Sequence, residues 1–214
     1  MVRVLVIGDT HFKPGKIKQG TEFVRACLEA ARVLTPDLIV CLGDTLHTNN
    51  IVHVQAHKLA CGWLESLVEL APTVLLIGNH DLISHRQFLT DNHIFNPLKK
   101  WAGLTVVDRP IVREVEGFKF GFCPCVPKGK FTAALDLLLD PETSFHWQVD
   151  LDCIFAHQEF HGSSMSSVVS SEGDKWSLAF PPVISGHIHE AQDLREDNVF
   201  YPGMSFNIRS GKKR

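Results

Sequence analysis

The hydrophobic positions of the chain fall into short runs with strand or helix periodicity. VRVLVIG, at residues 2–8, is rich in β-branched residues and ends in glycine, which predicts a fully buried strand. Residues 21–34 carry apolar side chains at helical spacing, and Pro36 ends that helix. The alternation continues with a strand, a helix and a strand at 37–43, 51–70 and 73–78. Nearly continuous apolar strands separated by helices predict a parallel α/β core.

The second half of the chain has a different pattern. Short strands separated by turn residues are predicted at 104–108, 110–117 and 118–124, where antiparallel or mixed pairing is expected. A short helix is predicted at 130–139, and the Ser-rich segment 161–176 is predicted to be a mobile loop. Buried strands return at 152–157, 181–189 and 198–204.

Composition indicates an ordinary globular protein. Of 214 residues, 44% are apolar and 21% charged, and the net charge of −3 excludes a protein whose whole surface attracts nucleic acid. Six cysteines without framework spacing favour a reducing compartment. Met1 leads directly into a strand and no apolar run is long enough for a membrane span. We therefore expect a soluble, cytoplasmic protein with one domain at 1–207 and a basic tail at 208–214.

Polar residues follow five of the predicted strands at their carboxyl ends, in the stretches GDTH, GDTLH, GNHD, FAHQE and SGHIH. In open α/β sheets ligands bind just beyond these ends, so we expect the side chains to converge. The stretches contribute these residues: Asp9, His11, Asp44, His47, Asn79, His80, Asp81, His157, His187 and His189.

This donor set predicts a metal centre. It exceeds what one ion needs, but it suits two ions that share a carboxylate and leave positions open to solvent. Imidazole with carboxylate suits Mn, Fe, Zn or Ni, whereas an all-oxygen cage suits Mg or Ca. A single Asp or His at a strand end is more often a turn former. Turn chemistry alone does not explain five ends that agree, because turns have no reason to select imidazole.

In order along the chain, D-x-H, G-D, G-N-H-D, a lone His and G-H-x-H resemble the motifs of the calcineurin-like metallophosphoesterases. The resemblance implies a four-layer α/β/β/α sandwich with two mixed β-sheets and a dinuclear metal site at the strand C-terminal edge. Manganese is the preferred metal, with Fe, Zn, Ni and Mg as alternatives. By motif position, the resemblance assigns Asp9, His11 and His189 to the first ion, Asn79, His157 and His187 to the second, and Asp44 to both.

The resemblance also implies a mechanism. Two neighbouring cations acidify a bridging water and clamp the phosphoryl oxygens, so that a metal-activated hydroxide attacks in line. His80 is expected to face the substrate rather than bind metal, and to protonate the leaving oxygen. Asp81 is expected to orient the His80 ring.

Details of the motifs bear on the substrate. Monoesterases of this family carry Arg soon after the second-block Asp, but here the stretch reads GDTLHTNN, which favours a phosphodiester. ISGHIHEAQ with YPGM is similar to SbcD-type DNA exonucleases, and HQEFHGSSMSSVVSSEGDKW with PKGKF resembles exonuclease-like phosphoesterases of phages and large DNA viruses. The resemblance implies a nuclease, working in a virus- or phage-infected host and forming a homodimer as related nucleases do.

Other interpretations stay open. A phosphodiesterase acting on small diesters or cyclic nucleotides is the second enzyme hypothesis. A binding scaffold of this fold, similar to the retromer subunit, is the alternative outside enzymes, although every ligand position is intact here. No membrane partner is expected. Substrate contacts are assigned to His47, His161, Lys13 and Arg86, for which exposed surface is the competing interpretation.

Overall fold

The computed structural model describes residues 1–84, 86–140 and 142–204. The first half of the chain forms a four-stranded sheet of parallel strands in the order β1-β2-β3-β4. Two helices connect the first three strands. The elements are β1 (Val4–Ile7), α1 (Ile17–Leu34), β2 (Leu38–Cys41), α2 (Val54–Val68), β3 (Thr73–Leu76) and β4 (Leu104–Val107).

The second half forms a mixed six-stranded sheet and a small hairpin. The strands are β5 (Ile111–Val115), β6 (Phe118–Cys123), β7 (Cys153–His157), β8 (Ser164–Met165), β9 (Val168–Val169), β10 (Val183–Gly186), β11 (Gln192–Leu194) and β12 (Val199–Tyr201). The large sheet has the order β11-β12-β10-β7-β6-β5, and β8 pairs with β9. Short helices α3 (Phe131–Leu135) and α4 (Trp147–Asp150) lie between β6 and β7.

Three hydrophobic clusters separate four layers. Leu38, Val40 and Val74 of the first sheet pack against Phe122 and Phe155 of the second, which forms the core between the sheets. The opposite face of the first sheet packs under α1 and α2, and that of the second under α3 and α4. Alternate residues of buried strands face opposite sides, so both faces of each sheet need apolar cover. The α/β/β/α sandwich expected from the motifs is the observed fold.

Several local predictions differ from the structure. Helix α1 begins at Ile17 rather than at residue 21. Gly20 lies within the first turns of this helix. A Cβ there would lie 2.7 Å from Leu59 of α2, so the glycine allows the two helices to pack closely. Strand β4 pairs in parallel with β3 in the first sheet, whereas mixed or antiparallel pairing was expected from residue 104 onward. The predicted basic tail, 208–214, lies outside the described residues.

The Ser-rich segment 161–176 is not an irregular loop. It contains the β8–β9 hairpin, and the segment buries Ser163, Ser170 and Asp174. The Ser170 hydroxyl donates to Glu159, and the Asp174 carboxylate accepts two backbone N–H groups. Buried polar groups are usually hydrogen-bonded in this way, and composition alone does not reveal their partners.

Candidate metal centre

The carboxyl ends of the two sheets meet at one edge of the sandwich. Asp9 follows β1, Asp44 follows β2 and Asn79 follows β3, all in the first sheet. His157 ends β7 and His187 follows β10 in the second sheet. Parallel pairing places these ends side by side within each sheet. The face-to-face packing of the sheets then brings both sets together.

Backbone strain is concentrated at this edge. His11, Asp44 and His187 have φ values of 43°, 48° and 83°, in the left-handed region that non-glycine residues seldom occupy. Each such conformation costs on the order of 1–3 kcal/mol and persists where surrounding structure enforces it. All three residues belong to the predicted ligand set, and the strained backbone directs their side chains toward the cluster.

Two glycines make room for the cluster. A Cβ on Gly78 would lie 2.3 Å from Asp44 Oδ1, and a Cβ on Gly186 would lie 2.5 Å from Asp9 Oδ1. The Gly186 Cβ would also lie 2.9 Å from His157 Nδ1. Glycine is therefore required by close approach of the carboxylates and not by turn geometry alone.

The first donor group consists of Asp9, His11 and His189, whose ligand atoms all lie within 4.8 Å of one another. Nε2 of His11 is 2.9 Å from Nε2 of His189, and Nε2 of His189 is 3.9 Å from Asp9 Oδ2. Asp9 is held in place by the backbone N–H of His187, which donates to its carboxylate (2.9 Å). These are the three residues assigned to the first ion.

The second donor group contains Asp44, His157 and His187, again within 4.8 Å. Asn79 lies among them, with its Oδ1 2.7 Å from His187 Nδ1 and 3.0 Å from His157 Nε2. The His157 Nδ1–H donates to the carbonyl oxygen of Leu42 (2.8 Å), which leaves Nε2 facing the centre. These residues were assigned to the second ion and its bridge.

The Asp44 carboxylate lies between the two groups. Its Oδ2 is 3.6 Å from His11 Nε2, and its Oδ1 is 3.4 Å from His157 Nε2. One oxygen therefore faces each donor group, which is the arrangement that a bridging ligand needs.

Electrostatics favour positive charge at this site. Burial alone would lower the pKa of His157, but Asp44 and Asp9 raise it to about 9. Burial would raise the pKa of Asp44, but the neighbouring imidazoles of His157, His11 and His80 outweigh burial and lower it. Burial lowers the pKa of His11 to about 3, so its ring is neutral. Clustered carboxylates, neutral imidazole and an amide oxygen fit divalent cations with mixed N/O ligands.

His80 lies at the solvent side of the cluster. Its Nε2 is 3.9 Å from Asp44 Oδ2, and its side chain is 30% exposed. Its Nδ1–H donates to the carbonyl oxygen of His47 (2.7 Å), and the two rings stack with centroids 5.9 Å apart. The Nε2 atom is thus directed toward the cluster, where His80 forms a third group of possible ligands with His11 and Asp44, again within 4.8 Å.

The expectation that Asp81 orients the His80 ring does not hold in this geometry. Asp81 is buried, and its Oδ2 accepts from the N–H of Gly78 (3.0 Å) while its Oδ1 accepts from that of Thr45 (3.1 Å). The adjacent side chains at 80 and 81 have opposite surroundings, since that of His80 is partly exposed and that of Asp81 lies inside the protein. Asp81 ties the GNHD turn to the loop after β2, and the carbonyl oxygen of His47 orients the ring instead.

Sequence reasoning missed Glu159. This buried residue has its Oε2 3.7 Å from His187 Nε2 and 2.9 Å from Lys128 Nζ. Contact with His187, aided by Ser170 and Lys128, lowers its pKa to about 2 despite burial. The Glu159 carboxylate therefore lies beside one ring nitrogen of His187, while the other ring nitrogen faces Asn79. The signal was present in FAHQE, where Glu159 follows His157 by two residues.

The predicted substrate contacts lie at different distances from the cluster. The exposed His47 ring lies 5.4 Å from that of His11, centroid to centroid, and Lys13 is half-buried on the same side. Arg86 is exposed and lines a cavity beside Asn79. His161 is exposed and lies outside the donor groups formed by the described residues.

Within the described ranges, no helix combines the length and apolarity needed to cross a membrane.

The family described as calcineurin-like phosphoesterase matches residues 2–191. The inferred phosphoesterase 244L of Invertebrate iridescent virus 6 is 42% identical over 203 residues, which cover 94% of this chain and 69% of the relative. The inferred phosphoesterase 078R of Invertebrate iridescent virus 3 is 37% identical over 211 residues, which cover 99% of this chain but only 59% of the relative.

The fold also has a solved counterpart. The purple acid phosphatase PPD1 from yellow lupin (Lupinus luteus) seeds superimposes with a TM-score of 0.56 at 15% sequence identity. The match covers 89% of this chain and 38% of the lupin chain. At this identity the likeness concerns the fold alone.

Proposed function

Since the chain belongs to the calcineurin-like phosphoesterase family, we propose that it hydrolyses phosphodiester bonds, with nucleic acid as its substrate and manganese as the preferred metal. One observation carries the proposal. The Asp44 carboxylate faces both donor groups, and His80 Nε2 stands 3.9 Å from it on the open side. This arrangement suits two cations with a proton donor beside them.

The residues divide the work. When bound, two divalent cations supply an acidified water and neutralise charge on the phosphoryl oxygens. The donor groups hold the cations, and Leu42 and His47 keep two imidazoles in the required tautomer through their carbonyl oxygens. His80 donates a proton from Nε2 to the leaving oxygen. The Asp44 carboxylate lies 3.9 Å from that nitrogen, on the inner side of the ring.

The side chains near Asp44 favour a diester over a monoester. A phosphomonoester carries two negative charges at neutral pH and is usually bound by Arg or Lys. Residues 45–51 contain neither, and His47, Thr48 and Asn49 occupy the corresponding surface. A diester carries one negative charge and needs less compensation there.

Nucleic acid is supported by the resemblance to exonucleases and by cations around the centre, among them Lys13, Arg86 and Lys128. Such residues position phosphates of a strand. A small diester or cyclic nucleotide is the second candidate. It is favoured by a cavity of about 530 Å³ beside Asn79 and His187, which is of a size to hold one small ligand.

A substrate panel with Mn²⁺ tests the proposal. It contains bis(p-nitrophenyl) phosphate, p-nitrophenyl phosphate, cyclic nucleotides, and single- and double-stranded DNA and RNA. We expect hydrolysis of the generic diester and of at least one nucleic acid, and much slower hydrolysis of the monoester. The Asp44→Asn variant is expected to be inactive throughout.

The outcomes separate the hypotheses. Rapid cleavage of small diesters without any cleavage of nucleic acid would replace the nuclease with a small-diester phosphodiesterase. Inactivity on every substrate, with two equivalents of metal bound, would replace the enzyme with a binding scaffold.

A further inference from the structure

A cavity of about 530 Å³ opens directly beside the second donor group. One side consists of Asn79, His157 and His187. The other side is formed by the loop after β6, with Cys125, Val126 and Pro127. Lys128, Glu159 and Arg86 complete the lining. The cavity therefore combines an apolar wall with charged groups next to the predicted reaction centre.

The apolar wall is fixed by hydrogen bonds. The backbone N–H of Cys125 donates to the carbonyl oxygen of Ile77 (2.8 Å), which ties the loop to the end of β3. The N–H of Val126 donates to Gln158 Oε1 (3.2 Å). The N–H of Gly129 donates to buried Asp174 (3.1 Å). A wall held at three points is ordered before a ligand arrives, which reduces the entropic cost of binding.

The side chains of Lys128 and Arg86 in the cavity can donate further hydrogen bonds to an anion. Lys128 Nζ contacts both carboxylate oxygens of Glu159, at 2.9 and 3.0 Å, but its side chain is 53% exposed. An ammonium has three N–H donors, so it can also contact an anion. The Arg86 side chain makes no hydrogen bond or ion pair with the described part of the chain, and its guanidinium presents a planar fork suited to phosphate.

Among the described residues that line the cavity, His80 is absent. His80 stacks on His47, which lines a separate cavity with Asn49, Ile51 and Ile83. A phosphodiester has two substituents on its phosphate, and we call each of them an arm. The arm whose oxygen His80 protonates is the one that leaves, on the side of His47. The arm that keeps the phosphate then extends toward Arg86 and Lys128.

We propose that the cavity between the second donor group and the 125–128 loop binds a nucleoside monophosphate unit, namely the unit of the substrate that retains the phosphate after cleavage. The base and sugar lie against Cys125, Val126 and Pro127, while Arg86 and Lys128 contact phosphate oxygens. The proposal rests on the proposed phosphodiesterase function and adds to it the chemical class of the retained arm. One site of this kind serves equally for the end of a strand or for a dinucleotide.

Competitive inhibition tests the proposal directly. Hydrolysis of bis(p-nitrophenyl) phosphate with Mn²⁺ is measured against inorganic phosphate, thymidine 5′-monophosphate and thymidine 3′-monophosphate. We expect at least one nucleotide to inhibit about tenfold more strongly than phosphate, because it adds contacts to the apolar wall. Whichever nucleotide inhibits more strongly also identifies the polarity of the retained arm. Calorimetric titration of the same nucleotides gives an independent measure of binding.

Arg86→Ala is the informative variant, because Arg86 is exposed and its loss does not disturb packing. We expect it to weaken inhibition by phosphate and by both nucleotides about tenfold, because all three ligands carry the phosphate that Arg86 contacts, and to leave the preference for nucleotide over phosphate in place. Arg32→Ala removes the same charge near the end of α1. Arg32 lies close to the amino end of β2, whereas the donor groups lie at the carboxyl ends of the strands. This control is expected to keep the wild-type inhibition by phosphate and by both nucleotides. Rates of cleavage of an oligonucleotide and of a dinucleotide are compared in parallel. The substrate that is cleaved faster shows whether the cavity takes the end of a strand or a free dinucleotide.

The proposal and the function it rests on fail in different ways. If the wild-type protein does not cleave the generic diester, the phosphodiesterase proposal is overturned. If it does, but nucleotides bind and inhibit no better than phosphate, only the nucleotide cavity is overturned. An equal effect of Arg86→Ala and Arg32→Ala would also overturn it.

Discussion

At the scale of single residues, neighbouring side chains of the GNHD turn have different surroundings. Asn79 presents Oδ1 to two imidazoles, His80 faces solvent beside Asp44, and Asp81 is buried against backbone N–H groups. Three consecutive residues thus face the donor groups, the open side of the cluster and the protein interior. The division follows from the direction of each side chain, which changes at every step along an irregular turn.

His80→Ala is predicted to reduce turnover about 10²- to 10⁴-fold, since a positioned general acid contributes on that order. Metal content measured by elemental analysis should stay close to wild type. The loss should be smaller for a p-nitrophenolate leaving group than for an alkoxide, because the former needs no proton. Equal losses for both leaving groups, or loss of metal, would contradict the role of proton donor.

Gly186→Ala is predicted to weaken metal binding without removing a ligand. Its Cβ would lie 2.5 Å from Asp9 Oδ1 and 2.9 Å from His157 Nδ1, so one donor from each group must shift. We expect metal affinity, measured by competition with a chelator, to fall about tenfold or more, as with other changes just outside a ligand set. Gly15→Ala is the matched control, since no heavy atom lies within 4 Å of its added Cβ. Similar behaviour of both variants would count against the steric explanation.

At the scale of elements, buried polar side chains hold the loops around the centre. Asp174, in the segment that contains the β8–β9 hairpin, accepts from the N–H groups of Gly129 and Phe131 and from the Gln158 side chain (2.8 Å). It therefore joins the 125–131 loop to the residues that follow His157. Buried polar networks of this kind rigidify a structure only when every member is satisfied.

Asp174→Asn is predicted to lower the free energy of unfolding by about 1–3 kcal/mol, because an amide has one acceptor oxygen where the carboxylate has two and adds unmatched donors. Urea denaturation measures the change. Asp193→Asn removes an exposed carboxylate paired with Arg195 and should cost under about 1 kcal/mol. Limited proteolysis at Lys128 and Lys130 should accelerate in the Asp174 variant only.

At the scale of the whole molecule, two sheets share one cluster of charge. Asp9 and Asp44 are both buried beside His157, and burial together with the Asp44 charge raises the pKa of Asp9 to about 7. Metal-free protein therefore has unfavourable electrostatics where the sheets meet, and a cation bound there would relieve it. Metal binding should accordingly stabilise the whole fold and not only a loop.

Removal of metal with a chelator is predicted to lower Tm, and Mn²⁺ at about 100 times its Kd to restore it. Binding at that concentration contributes about 2.7 kcal/mol, which corresponds to roughly 5–10 °C for a chain of this length. Differential scanning calorimetry measures the shift. In Asp44→Asn the Mn²⁺-dependent shift should largely disappear; its persistence would show that Asp44 does not hold the ions.

The sequence by itself determined the elements and the identity of the donors. Continuous apolar runs predict the buried strands. Polar residues at the ends of these runs mark the strand ends, as at Asp9, Asp44 and His157. These signals are local, since each depends on a few adjacent residues. For that reason an α/β core and the set of side chains expected to converge were predictable before any contact was known, whereas the α/β/β/α sandwich was implied by the resemblance of the motifs to the family.

Only the tertiary structure decided which atoms face one another. Glu159 behind His187, the His47 carbonyl behind His80 and the Asp174 contacts all join residues distant in sequence or backbone groups that every residue possesses. Residue identity carries no record of such partners, which is why Asp81 was assigned to the wrong neighbour and the Ser-rich hairpin was predicted as a loop. The packing of two sheets sets these pairings, because it alone places separate strand ends within hydrogen-bond distance.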